Sequence, residues 1–147
     1  MPSSADEMIA ALNHFEADAE YDENQSRLYP IMEGFRDLPD RERVLPAMFE
    51  LMERFPGAYL GTPGPLVHSI ESLGVENYES LLVESVRRQP VELNVWMINR
   101  ILNTDLQTEH RRQLLDLLRL VPQHPKVVQR VADEARGFLD HQAKRVP

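Results

Sequence analysis

The fold is decided by the stretch VELNVWMINRILN, residues 91–103, which contains the only tryptophan of the chain. At ~100° per residue, Val91, Val95, Ile98 and Leu102 fall on one side of a helix. Leu93, Met97 and Ile101 widen the apolar arc beyond half of the circumference. A helix this apolar is typical of a central position with other helices on several sides. The sequence therefore predicts a helical protein with this segment inside it.

A narrow polar stripe remains on the same helix. It consists of Glu92, Asn99 and Asn103, and Trp96 and Arg100 border it. In one interpretation, Trp96 closes the edge of the core and Asn103 caps the helix end. In the other, the stripe is a flat polar ledge with one aromatic anchor, a residue mixture enriched at partner-binding hot spots. The stripe does not resemble a catalytic site.

Helical periodicity continues through nearly the whole chain, and no segment alternates as a strand does. We therefore expect an all-α fold with about eight helices in a single domain, residues 1–147. The first helix is expected over 5–20, with Ser4 and Glu7 at capping-box spacing. The second is expected over 26–35 and includes Pro30. The third follows Asp40, and Pro46 should kink it or reset its start.

The breaker-rich stretch PGAYLGTPGP separates these helices from the rest. Helices are expected over 65–73 and 76–88. A sixth helix is expected over VELNVWMINRILN, with Pro90 in its first turn. Thr108 is expected to cap the seventh helix, and the eighth follows PQHP. The positions expected to be buried are Leu81, Val95, Ile98, Leu118 and Val131.

The spacing of the later helices suggests three pairs within residues 39–147. The pairs would begin at Asp40, Glu76 and Thr108, which are 36 and 32 residues apart. This spacing is close to the period of stacked helix-pair repeats. A HEAT-like stack capped by the helices of residues 1–38 is one alternative, and an irregular helical bundle is the other.

The charge is distributed unevenly along the chain. The net charge is -8, but residues 1–86 carry 17 acids and 5 bases, whereas residues 87–147 carry 7 acids and 11 bases. An acidic half repels nucleic acid and attracts basic partners. The densest acidic run is either a solvated helix end or a charged docking surface with an aromatic contact. Its residues are Asp18, Glu20, Tyr21, Asp22 and Glu23.

Several kinds of chemistry lack their signatures. The chain has no cysteine, its histidines are not spaced as metal ligands, and it has neither a Walker motif nor a nucleophile elbow. We therefore predict no enzymatic activity, no metal and no cofactor. No apolar run is long enough to span a membrane, and no secretory signal is recognisable, so a cytoplasmic location is expected. The C-terminal arginines lack interleaved aromatic residues, so no nucleic-acid partner is predicted.

Three segments together carry a family resemblance: GTPGPLVHSIE, YESLLVESVRRQP and VWMINRILN. Between about residues 59 and 103, the chain resembles the small all-helical immunity proteins of bacterial contact-dependent inhibition and polymorphic toxin systems. The resemblance implies a cytoplasmic protein that binds one cognate toxin domain, often a nuclease, and blocks its active site. The acidic charge of residues 1–86 predicts that this domain is basic. We expect such a protein to be a monomer. A HEAT-like adaptor with an unrelated partner and a helical enzyme assembled only in three dimensions remain the alternatives.

Overall fold

The computed structural model describes residues 2–18, 23–61 and 63–145. These ranges form an all-α fold in which three short 3-10 turns accompany eight α-helices, and no strand occurs in them. The α-helices are α1 (Ala5–His14), α2 (Asn24–Met32), α3 (Leu45–Arg54), α4 (Gly64–Glu71), α5 (Val75–Arg88), α6 (Glu92–Leu102), α7 (Thr108–Leu120) and α8 (Gln129–Arg145). The predicted fold class is confirmed.

Local sequence explains the starts of α1, α3 and α5. The Ser4 hydroxyl accepts a hydrogen bond from the Glu7 N–H at 3.2 Å, as an N-cap residue does. Pro46 lies in the first turn of α3, so it resets the start of the helix and does not kink its interior. At α5, Gly74 has a φ of +88°, a conformation that glycine adopts without steric cost.

The structure corrects several expected boundaries. Helix α1 ends at His14 and not at residue 20, because the backbone is extended at Phe15. The Arg54 guanidinium donates to the carbonyls of Leu12 and Phe15 at 3.0 and 3.2 Å, which satisfies the end of α1 from a distant helix. Thr108 is the first residue of α7 and not its cap, because Gln107 occupies the cap position.

The start of α6 also differs from the expectation. Pro90 precedes the cap residue Val91, and Asn94 supplies the cap from inside the helix, since its carbonyl oxygen accepts from the Val91 N–H at 2.8 Å. Asn94 is fully buried, and its amide also donates to Ser85 and to the Gln89 carbonyl, both at 3.0 Å. One buried amide therefore fixes the turn between α5 and α6.

A continuous apolar core runs through the described part of the chain. Helix α6 contacts α3, α5, α7 and α8, which accounts for its wide apolar arc. Val95, Ile98, Leu118 and Val131 are fully buried as predicted, but Leu81 is only partly buried at the edge of the core. The predicted position of residues 91–103 among several neighbouring helices is therefore confirmed.

The order of helix packing has features of both predicted arrangements. Helices α5 and α6 pack together, as do α7 and α8, and α1, α3 and α5 lie side by side as in a stack. Helix α4 departs from the expected pairing with α3 and packs mainly against α2. The contact between α2 and α4 brings together two segments of residues 1–86, the acidic half of the chain. None of the described helices has the length and apolar character that a membrane span requires.

Candidate partner-binding surface

The residues predicted to bind a partner fall into two separate regions. Glu92, Trp96, Asn99, Arg100 and Asn103 lie on or directly after α6. The second group belongs to the acidic run, residues 16–23, which precedes α2. Of that group, Asp18 and Glu23 have exposed side chains. Glu20, Tyr21 and Asp22 lie outside the described residues.

The amide stripe of α6 faces α8. The side chain of Gln142 on α8 is 1% exposed, and its amide donates to the side-chain oxygens of Asn99 and Asn103, both at 2.8 Å. Asn99 is itself only 7% exposed. The expectation of an open ledge is therefore wrong for Asn99, because α8 covers it. Asn103 is exposed, and Arg145 also donates to its side-chain oxygen at 2.5 Å.

Glu92 is also engaged with α8. The Arg130 guanidinium donates to its carboxylate at 3.3 Å. Burial, followed by the negative charge of Glu92, raises the pKa of the neighbouring Glu134, and Arg130 opposes this shift. Glu92 thus belongs to a partly covered charge cluster between two helices.

Trp96 is half-buried, and a residue of its own helix lies on it. The Arg100 guanidinium carbon lies 4.8 Å from the centre of the Trp96 ring, and the same guanidinium forms two hydrogen bonds with Glu71, of 2.7 and 2.9 Å. The hydrogen bonds that Arg100 donates to Glu71 raise the pKa of Arg100, which stays charged. The proposed anchor thus already has a cationic partner within the chain. Its role in binding remains a prediction.

A cavity of about 380 Å³ adjoins this cluster and is lined in part by Glu71, Tyr78, Arg100 and Asn103. Burial, followed by the negative charge of Glu71, raises the pKa of Tyr78 to about 12. Tyr78 is consequently a neutral phenol at pH 7.

A buried amide that the sequence analysis missed positions the acidic run. Asn24 is fully buried, and its side chain accepts from the Asp18 N–H and donates to the Asp18 carbonyl, both at 2.6 Å. It also donates to the Tyr59 carbonyl at 3.0 Å. Asn24 therefore joins Asp18 to the segment before α4. In the sequence, the available indication that Asn24 is buried is its helical register with the apolar residues Leu28 and Met32.

The arginines nearest to the acidic run bond mainly to backbone carbonyls and aromatic rings. Arg27 donates to the Glu16 carbonyl at 2.7 Å and lies 4.5 Å from the centre of the Phe15 ring. Arg54 bonds to two carbonyls at the end of α1, and Arg41 donates to the Arg36 carbonyl at 3.3 Å. Arg43 differs, since it pairs with Asp6 and Asp40 at 2.7 and 3.0 Å. Among the described residues, several carboxylates of this half pair instead with cations of the other half, Glu53 with Arg88 and Glu71 with Arg100.

Two exposed tyrosines lie in the same region. Tyr29 is 48% exposed and Tyr59 is 39% exposed. Tyr29 lines a groove of about 360 Å³ between α2 and α4, which we call the α2–α4 groove. Its lining residues are Ser26, Tyr29, Pro30, Met32, Glu33, Pro65, His68 and Ser69. The sequence analysis missed this groove, because it depends on the packing of α4 against α2.

Comparison of the chain with known protein families, with curated protein sequences and with solved structures found no match. Within the described ranges, no group of three or more His, Asp or Glu side chains is arranged to hold a metal ion.

Proposed function

We propose that this protein is an immunity protein that binds a basic toxin domain and blocks its active site by occlusion. The partner type comes from the resemblance of residues 59–103 to immunity proteins, and the surface comes from the charges of residues 1–86. No catalytic step, metal or cofactor is part of the proposal, and the expected complex contains one copy of each protein.

The observation that carries the proposal is the excess of exposed carboxylates around the acidic run. The side chains of Asp18 and Glu23 are exposed to solvent, where a partner can approach them. Opposite charge on a partner increases the association rate by steering the encounter. Fast capture suits a protein that must neutralise a few toxin molecules after they enter a cell.

The direct test is a protection assay with the toxin domain encoded beside the gene of this protein. We expect co-expression to restore growth, and we expect the purified pair to form a one-to-one complex in light-scattering measurements. A quadruple variant, Asp18→Asn, Glu20→Gln, Asp22→Asn and Glu23→Gln, should protect less well when the toxin is expressed strongly. Absence of a toxin gene nearby, or no protection by the wild-type protein, would refute the immunity function.

A helical adaptor is the second candidate, and a separate apolar surface favours it. Leu120 on α7 is 61% exposed and lines a cavity of about 220 Å³ together with Val86, Pro90, Leu117 and Val121. Val86, Leu117 and Val121 are buried, so a partner would contact Leu120 at the mouth of this cavity. An adaptor would lose a partner after Leu120→Ser, whereas that change would leave toxin neutralisation unaffected.

A further inference from the structure

The chain already contains one complete site for a guanidinium group. At that site, the Trp96 ring supplies an aromatic face at 4.8 Å and Glu71 supplies two acceptor oxygens at 2.7 and 2.9 Å. Arginine suits such a site because its group is planar, delocalised and able to donate two parallel hydrogen bonds. Arg100 of the same chain occupies this one.

The α2–α4 groove presents the same two components without an arginine. Tyr29 and Glu33 are four residues apart, and the backbone at Glu33 remains α-helical, so both side chains lie on one face of α2. Both line the groove. Among the described residues, no cation lies over the Tyr29 ring and no ion pair involves Glu33.

Pro30 lies next to Tyr29 on α2 and also lines the groove. Its ring adds apolar surface beside the aromatic side chain. An incoming guanidinium can therefore find an aromatic ring and a carboxylate along one side of the groove.

The surrounding charges favour a cation with apolar neighbours. Glu33 is the acidic side chain that α2 contributes to the lining, and His68 is the histidine that α4 contributes. Arg27 of α2 is directed away, toward the Glu16 carbonyl. Met32, Pro30 and Pro65 supply apolar surface beside Glu33.

We propose that the α2–α4 groove binds an arginine of the partner, with the guanidinium on Tyr29 and Glu33 and apolar flanking residues on Pro30 and Pro65. The inference rests on the proposed function for the basic character of the partner. It adds the residue type that the partner must contribute and the place where that residue binds.

The test uses two matched peptides, acetyl-Gly-Leu-Arg-Leu-Gly-amide and the same sequence with neutral citrulline in place of arginine. Each is titrated into the ¹⁵N-labelled full chain and followed by NMR. We expect the arginine peptide to shift the amide signals of residues 26–29, 31–33 and 66–69, and the citrulline peptide to bind about tenfold more weakly. Tyr29→Ala and Glu33→Gln should each weaken binding about threefold to tenfold.

Two matched variants serve as controls. Tyr29→Phe keeps the ring and should bind as the wild type does, and Glu84→Gln makes the same charge change at an exposed position of α5. Equal binding of both peptides, no binding, or shifts confined to other regions would overturn the groove assignment. None of these results affects the protection assay. Conversely, groove binding without protection would refute the immunity function and retain the arginine site.

Discussion

Trp96 on α6 and Tyr29 on α2 are both accessible aromatic residues beside a carboxylate, but within the described residues only Trp96 has a cation over its ring. Arg100 lies over Trp96 and bonds to Glu71, whereas Tyr29 and Glu33 line an open groove. An aromatic residue beside a carboxylate does not by itself indicate a binding surface. The property that distinguishes the two sites is whether a cation of the same chain already lies over the aromatic ring.

The same contrast extends to the polar residues around the two aromatics. The amides near α6 bond to α5 and α8, so they hold helices together. In the acidic run, one buried amide holds the backbone and the carboxylates of Asp18 and Glu23 are exposed. The contacts of the α6 side stabilise helix packing, and our proposal places partner binding on the α2 side.

The largest expected effect is a loss of stability at the centre of the α5–α6 turn. Asn94→Ala removes three hydrogen bonds from a fully buried site and leaves the Val91 N–H and the Gln89 carbonyl unpaired. We expect the free energy of unfolding in urea to fall by about 2–4 kcal/mol. Asn13→Ala, at an exposed position of α1, should change it by less than about 0.5 kcal/mol. Similar small losses for both variants would contradict the structural role of Asn94.

The contact between α6 and α8 should give the next largest effect. Gln142→Ala leaves the buried side-chain oxygen of Asn99 without this donor. We expect a loss of about 1–3 kcal/mol in unfolding free energy, with partner binding unchanged. The exposed Gln113→Ala on α7 is the matched control. Weakened partner binding in a folded Gln142→Ala protein would move the binding surface to the α6 side.

On the α2 side, we expect a kinetic effect without a loss of stability. The quadruple amide variant of the acidic run should associate with the partner roughly tenfold more slowly at low ionic strength, and its rate should depend less on salt. The control changes Glu42, Glu50, Glu76 and Glu84 to glutamine, since these acids are also exposed. Because these four acids lie outside the acidic run, the control variant should reduce the association rate less than the quadruple amide variant does. Equal effects of the two sets would indicate that net charge alone controls association.

The smallest expected effect concerns the charge cluster between α6 and α8. Burial and Glu92 raise the pKa of Glu134, so the ionised form is disfavoured in the folded state. This penalty is present at neutral pH and disappears as the pH falls through the folded-state pKa of Glu134. Glu134→Gln should therefore stabilise the protein by a few tenths of a kcal/mol at pH 7, because solvent screens a partly exposed group. The stability gain should vanish in acid, and a gain that persists there would contradict this origin.

The fold was predictable because each helix carries an apolar stripe of its own. The end of α1 was not, since Arg54 from α3 bonds to its last carbonyls, and a local pattern contains no information about that contact. The α6 stripe was correctly recognised as polar, but the residue that covers Asn99 is 43 positions away, at Gln142. Gln142 lies in helical register with Val131, Ala135 and Phe138, which was the available indication of burial.

The groove could not be predicted for a related reason. Tyr29 and Pro65 become neighbours only because α4 packs against α2, and the helix spacing favoured α3 as the neighbour of α4. Composition indicated an acidic half, and three-dimensional packing determines which of its faces carries aromatic and apolar groups.

Amide hydrogen–deuterium exchange of the protein, alone and in complex with its toxin domain, tests the assignment of the two sides most directly. We predict slower exchange in the complex for residues 15–33 and 59–69, with little change in α6 and α8 around Trp96. Slower exchange confined to α6 and α8, with residues 15–33 unchanged, would contradict the account.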